Sequence, residues 1–116
     1  MRFMILVIPA VYARPDPEEM PSAERIEAMG AYNASLAEAG ILQAVDALQP
    51  PTEGATVVFG DEGTDVLGVE PAGSVGGFWI IDVPSLSEAV DWARRCPMLP
   101  GDMLEVRPME IYDDAS

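Results

Sequence analysis

Residues 3–8 (Phe-Met-Ile-Leu-Val-Ile) are apolar without a break and are closed by Pro9. A continuous, β-branched-rich run of this length predicts a central strand buried on both faces. Residues 14–21 are acidic and punctuated by Pro15, Pro17 and Pro21, which predicts a loop ending in a helix start at Ser22. From Ser22 to Ala39, Ile26, Met29, Asn33, Leu36 and Ala37 recur at helical spacing, and Glu24, Glu27 and Glu38 lie mostly off that face. Gly40 then occupies the position after the helix where a left-handed turn favours glycine.

Residues 41–48 read as a second strand, cut off by Gln49-Pro50-Pro51. Residues 56–59 and 64–69 flank the turn Gly60-Asp61-Glu62-Gly63 and predict a hairpin. After a loop containing Pro71 and Gly73, Gly76-Gly77 precedes the most apolar strand, residues 78–83, which Pro84 ends. Ser85 with Glu88 three residues on forms a capping box, and Leu86, Ala89, Val90 and Ala93 make one stripe of a short second helix that stops at Cys96-Pro97. A last strand spans 103–112, with Leu104, Val106 and Pro108 opposite in direction to Glu105, Arg107 and Met109, and 113–116 form a frayed tail.

The order strand, helix, strand, hairpin, strand, helix, strand predicts an α+β fold: a split βαβ unit with an inserted hairpin, its antiparallel sheet carrying both helices on one face. The other face is left apolar and uncovered. A small domain with such a face needs a partner, so a homodimer of face-to-face sheets is expected.

Composition narrows the chemistry. The chain has 116 residues with 20 acidic and 6 basic side chains, a net charge of −14, and neither lysine nor histidine, all six basic residues being arginine. Imidazole catalysis, lysine Schiff bases and His-ligated metals are thereby excluded, leaving Asp, Glu, Tyr, Cys96 and the N-terminal amine for proton transfer. The negative charge disfavours nucleic acid and anionic membranes. With 49% hydrophobic residues the chain is nevertheless a folded domain rather than a disordered acidic segment, and its length suits one small domain over 1–116. A single cysteine fits a reducing cytoplasm. The start, with Arg2 before the apolar run and Ala10-Val11-Tyr12-Ala13 after it, faintly resembles a signal peptide, but the run is strand-sized and no stretch is long enough to span a bilayer.

Several segments taken in order carry a resemblance: Met29-Gly30-Ala31-Tyr32-Asn33 through to Gly40-Ile41-Leu42; Leu48-Gln49-Pro50; Gly76-Gly77-Phe78-Trp79-Ile80-Ile81-Asp82-Val83; Trp92-Ala93; Arg95-Cys96-Pro97; and Glu105-Val106-Arg107-Pro108. Together they resemble the YCII-related proteins of the DGPF-domain type over nearly the whole chain. The resemblance implies a ferredoxin-like protomer in a dimeric α/β barrel. Where the Asp-Gly-Pro-Phe tetrad and its following residues should stand, between Asp65 and Gly73, only Asp65 and Glu70 keep the family's residue type. The histidine that smaller YCII relatives place on the first helix, as part of a dyad with an aspartate, falls at Met29. An activity resting on that histidine does not carry over.

Candidate site residues follow. Asp65 and Glu70 are possible general bases in a pocket at the sheet's end, or solvated surface acids. Asp46 and Asp82, each in an apolar strand, either face solvent or point into a pocket as stronger bases. Tyr32 and Asn33 could orient a substrate carbonyl, or pack at the dimer rim and cap a backbone group. Arg107 clamps a substrate carboxylate or pairs with Glu105; Trp79 and Met29 join Asn33 as candidate substrate contacts, with core packing the competing reading. Cys96, at a helix C-terminus, reads as a packed thiol. The barrel fold that the resemblance implies, which related proteins use for such pockets, together with these Asp, Tyr and Arg groups leads to the expectation of a cytoplasmic, cofactor-independent enzyme, free of metal, that performs proton transfer, cyclisation, isomerisation or elimination on a small apolar molecule. The alternative is a non-catalytic ligand-binding or regulatory module with a degenerate site, a role that DGPF-type proteins encoded near sigma factors suggest by resemblance.

Overall fold

The computed structural model describes residues 1–13 and 22–111. The loop expected at 14–21, the end of the last strand at Tyr112 and the tail lie outside the described residues. The elements are β1 (Arg2–Ile8), α1 (Ala23–Glu38), β2 (Leu42–Ala47), β3 (Thr56–Gly60), β4 (Gly63–Leu67), β5 (Gly77–Asp82), α2 (Leu86–Arg94) and β6 (Met103–Pro108), with short 3-10 turns at Ala10–Ala13 and Pro51–Glu53 that the sequence pattern did not predict. Both turns begin beside proline, at Pro9 and Pro50-Pro51, where a fixed φ favours a tight turn over a continued strand.

Helix α1 starts where Ser22 turns its hydroxyl back to accept from the Arg25 amide at 3.2 Å. It ends at Gly40, whose φ of 74° permits the left-handed turn. There the Gly40 amide donates to the Ala37 carbonyl at 3.0 Å and the Ile41 amide to the Leu36 carbonyl at 3.2 Å, which satisfies two carbonyls of the last turn. Helix α2 is capped by Ser85, whose hydroxyl accepts from the Glu88 amide at 3.2 Å.

Strands β2, β5, β1 and β6 form one antiparallel sheet in that order, and β3 and β4 form a separate hairpin. This is the split βαβ order with β1 and β5 central. Side chains alternate across a strand, so odd positions of β1 and β5 share one face. Phe3, Ile5, Trp79 and Ile81 on that face join Tyr32 and Leu36 of α1 and Ala89 and Ala93 of α2 in one core. Among the described residues, the opposite face carries no helix. Its two cross-sheet rows read Ala44, Ile80, Met4, Arg107 and Asp46, Phe78, Leu6, Glu105, each apolar in the middle and polar or small at its ends. The continuous apolar run in β1 therefore has two different addressees: its odd residues serve the core and its even residues the bare face.

The paired glycines before β5 are explained by close approach. A Cβ on Gly77 would lie 2.9 Å from the Asp46 carbonyl oxygen, and one on Gly76 would lie 2.8 Å from Pro9 Cγ. Only glycine lets β5 enter between β2 and the end of β1 while the Gly76 amide donates to the Val7 carbonyl at 2.8 Å. Gly77→Ala is expected to cost about 1–3 kcal/mol, because backbone rather than a flexible side chain must move. Gly30→Ala, in the open middle of α1 where an added Cβ meets nothing within 4 Å, should instead stabilise by roughly 0.5–1 kcal/mol. Urea unfolding of the two variants checks both signs.

Candidate functional site

Four of the residues expected at a site, Met29, Tyr32, Asn33 and Trp79, do come together, but as the joint that locks α1 to its neighbours. The Tyr32 hydroxyl donates to the Trp92 carbonyl of α2 at 2.8 Å. The Trp79 indole donates to Asn33 Oδ1 at 2.7 Å. The Tyr32 and Trp79 rings meet edge to face with centroids 5.3 Å apart. Met29 packs against the same core. Burial, reinforced by the nearby Cys96 and opposed by Arg95, raises the pKa of the Tyr32 hydroxyl above its ordinary value. A hydroxyl that is buried, already donating and hard to ionise is suited to holding helices together and poorly suited to accepting a proton.

The acids and Arg107 are dispersed. Asp46 is exposed at the edge of the bare sheet face, with Oδ1 accepting from the Ala47 amide at 2.9 Å. Asp82, also exposed, accepts from the Met1 amine at 2.8 Å. Arg107 lies across the bare face from them, 3.7 Å from Glu105. Asp65 stands on the hairpin, every residue of which is exposed. Glu70 is exposed on the loop that leads away from the hairpin. Of these four acids, only Asp65 lines either of the two hollows described below.

A groove opens where β2 runs out. The Leu48 amide donates to the Gly76 carbonyl at 2.9 Å, which ties the chain leaving β2 to the chain entering β5. Between them lies a cavity of about 350 Å³ whose walls include Leu48, Pro50, Pro51, Val69, Val75 and Ser74, with Gln49 and Glu53 adding polar groups. This volume is within the range of small-molecule sites. The Ser74 hydroxyl is buried there without a hydrogen-bond partner, an arrangement that costs free energy until something supplies one. Glu53 is the carboxylate in the wall, and Glu70 follows the wall residue Val69. The sequence offered Asp65 and Glu70 for a pocket at the sheet's end; neither lines this groove, whose polar wall residues are Ser74, Gln49 and Glu53. The available signal was the pair of chain breaks, Gln49-Pro50-Pro51 and Gly73 to Gly77, which force two loops to face each other. A second, smaller hollow of about 270 Å³ at the hairpin tip is bounded by Gly60, Glu62, Gly63, Thr64 and Asp65, all on the hairpin itself.

Cys96 follows α2, half-buried, with its thiol pushed up to about 12 chiefly by burial, with Arg25 opposing and Asp102 adding to the rise. Among the described residues, no group of three His, Cys, Asp or Glu side chains is placed to hold a metal ion, and no helix is long and apolar enough to cross a membrane.

The family model of the YCII-related domain matches residues 1–111. No curated protein matches the chain.

Two outcomes follow from the buried groups. Tyr32→Phe should lower stability by about 1 kcal/mol through the lost hydrogen bond. The folded-state pKa of Cys96 exceeds its unfolded value, so its contribution to stability is intact below about pH 9 and is lost as pH rises toward 12. The urea midpoint should fall across that window, less steeply in Cys96→Ala, and the native thiol should resist iodoacetamide at pH 8 until the chain is unfolded.

Proposed function

Since the chain belongs to the YCII-related domain family, we propose that it is a homodimeric α/β barrel that takes a small, largely apolar molecule bearing one hydrogen-bonding group into the groove between the β2 exit and the loop before β5. The observation that carries this reading is the largely apolar groove, which has among its wall residues Ser74, whose buried hydroxyl has no hydrogen-bond partner. Apolar walls supply affinity without direction, and one buried polar group supplies orientation. The dimer is supported by the bare sheet face, where Met4, Leu6, Phe78 and Ile80 form an apolar centre between polar ends. The lone thiol fits a reducing compartment such as the cytoplasm.

The chemistry the groove can carry is cofactor-independent proton transfer. Glu53 is the carboxylate among the wall residues, and it is the group there that could accept a proton from a bound molecule. Isomerisation, elimination and cyclisation all need such a step. The non-catalytic reading is favoured by a separate observation: Met29, where the resemblance places a histidine, is packed against the core, and its neighbours Tyr32 and Asn33 are committed to Trp92 and Trp79. In that reading the groove binds and the protein signals occupancy to a partner.

Calorimetric titration with naphthol and methylnaphthalene tests the groove. The protein should bind both saturably and prefer naphthol by about five- to tenfold, the worth of one hydrogen bond. Ser74→Ala should erase the preference. Gly54→Leu, whose Cβ would already stand 3.1 Å from Val69 Cγ2, should fill the groove and abolish both. Unchanged binding in Gly54→Leu would sink the assignment.

A further inference from the structure

The hairpin β3–β4 forms an arm whose apolar side chains nothing in the chain covers. Phe59 is 81% exposed, Val66 68% and Val57 51%, and every residue of both strands is exposed. Clustered apolar side chains left in water mark a surface that meets a partner. The register sets Val57 opposite Val66 and Phe59 opposite Thr64, so these side chains share one face of the arm, and that face carries no charge.

The backbone of the arm is as open as its side chains. The two strands pair only with each other, and among the described residues no further backbone hydrogen bond reaches residues 56–67. Each strand therefore presents outward-facing amides and carbonyls along its free edge. The usual guards of such an edge are missing: the pairing runs without a bulge from Thr56 and Leu67 to Gly60 and Gly63, and neither strand contains proline or lysine. An unguarded edge is a template for one more strand.

Charge selects which strand fits. Asp61 and Glu62 lie at the tip of the arm, Asp65 on β4, and Glu53 and Glu70 in the chain just before and just after it. No basic residue stands between Arg25 and Arg94 in the sequence, and among the described residues none of these acids takes part in an ion pair. A second copy would bring the same acids and set like charge against like. A segment with arginine or lysine at both ends and apolar residues between them instead matches an apolar shaft with acids at its tip and base. We infer that the arm is a docking edge for an extended basic segment of another protein, which adds as a strand along the hairpin and lays its apolar side chains beside Val57, Phe59 and Val66. The inference goes beyond the groove and the proposed dimer and depends on neither. Strands of five residues span about 17 Å, the reach of a short peptide.

Fluorescence anisotropy on the full chain with a labelled Arg-Arg-Val-Ile-Val-Arg-Arg peptide tests this. The peptide should bind saturably with a dissociation constant below about 1 mM. Phe59→Ser with Val66→Ser should weaken binding at least about tenfold. Asp61→Asn with Glu62→Gln should weaken it about threefold and make what remains less sensitive to salt. Methylating the backbone nitrogens of the Val-Ile-Val centre removes the donors a new strand needs and should cost at least about tenfold. Circular dichroism of all variants should match that of the unsubstituted protein, because the exposed side chains of the arm lie outside the core. Failure of the arginine peptide to bind overturns the inference, as does equal binding by the same peptide with glutamate in place of arginine. Binding that survives Phe59→Ser with Val66→Ser puts the peptide elsewhere on the acidic surface and overturns the assigned edge; indifference to methylation overturns strand addition. Self-association in sedimentation equilibrium that Phe59→Ser with Val66→Ser abolishes would give the arm to a second copy and overturn the basic partner.

Discussion

A sheet with two helices has one face too many. In this chain the alternation along β1 and β5 sends Phe3, Ile5, Trp79 and Ile81 under α1 and α2 and turns Met4, Leu6, Phe78 and Ile80, all half-buried, to the face that neither helix covers. Everything else of interest follows from that asymmetry. The helices are held to the covered face by a compact joint in which Tyr32 reaches Trp92 and Trp79 reaches Asn33. The bare face calls for an apolar partner, and the proposed dimer answers it with a second bare face.

The groove is a by-product of how β5 enters this sheet. Gly76 and Gly77 let the strand pass against Pro9 and the Asp46 carbonyl at distances that no side chain would allow. The loop before them is drawn against the chain leaving β2, and the space left between the two holds Ser74. The hairpin is inserted between the same two loops, leaving from Gly54 on one wall and returning to Val69 on the other.

Much of the architecture was legible in the residues. Ser22, Gly40 and Ser85 mark helix ends because capping is local chemistry, and the hairpin announces itself through Gly60 and Gly63. The last strand, expected to run to Tyr112, ends at Pro108, with one further backbone bond in which the Met109 amide donates to the Arg2 carbonyl at 2.9 Å. The site was read less well, for a physical reason. Tyr32 and Asn33 attract notice as polar residues beside an apolar stripe, but polarity in a helix can satisfy a buried neighbour as readily as a substrate, and spacing does not separate the two. Ser74 has the opposite problem: a serine in a loop is ordinary, and only burial without a partner makes it informative. Asp65 and Glu70 carry the likeness to the family's motif, yet one stands on the arm and the other beside the groove, because the hairpin carries them apart.

The central claim is that the bare face is covered by a second copy. Ile80 lies between Ala44 and Met4 at the middle of that face and away from the helices, so Ile80→Glu leaves the core intact and places a charge where the two sheets would meet. Light scattering coupled to size-exclusion chromatography on the unsubstituted protein and on Ile80→Glu reads the outcome directly. The account predicts twice the protomer mass for the first and a folded protein of single protomer mass for the second. A dimer that survives the glutamate would place the interface elsewhere, and a monomer in both would contradict the account at its root.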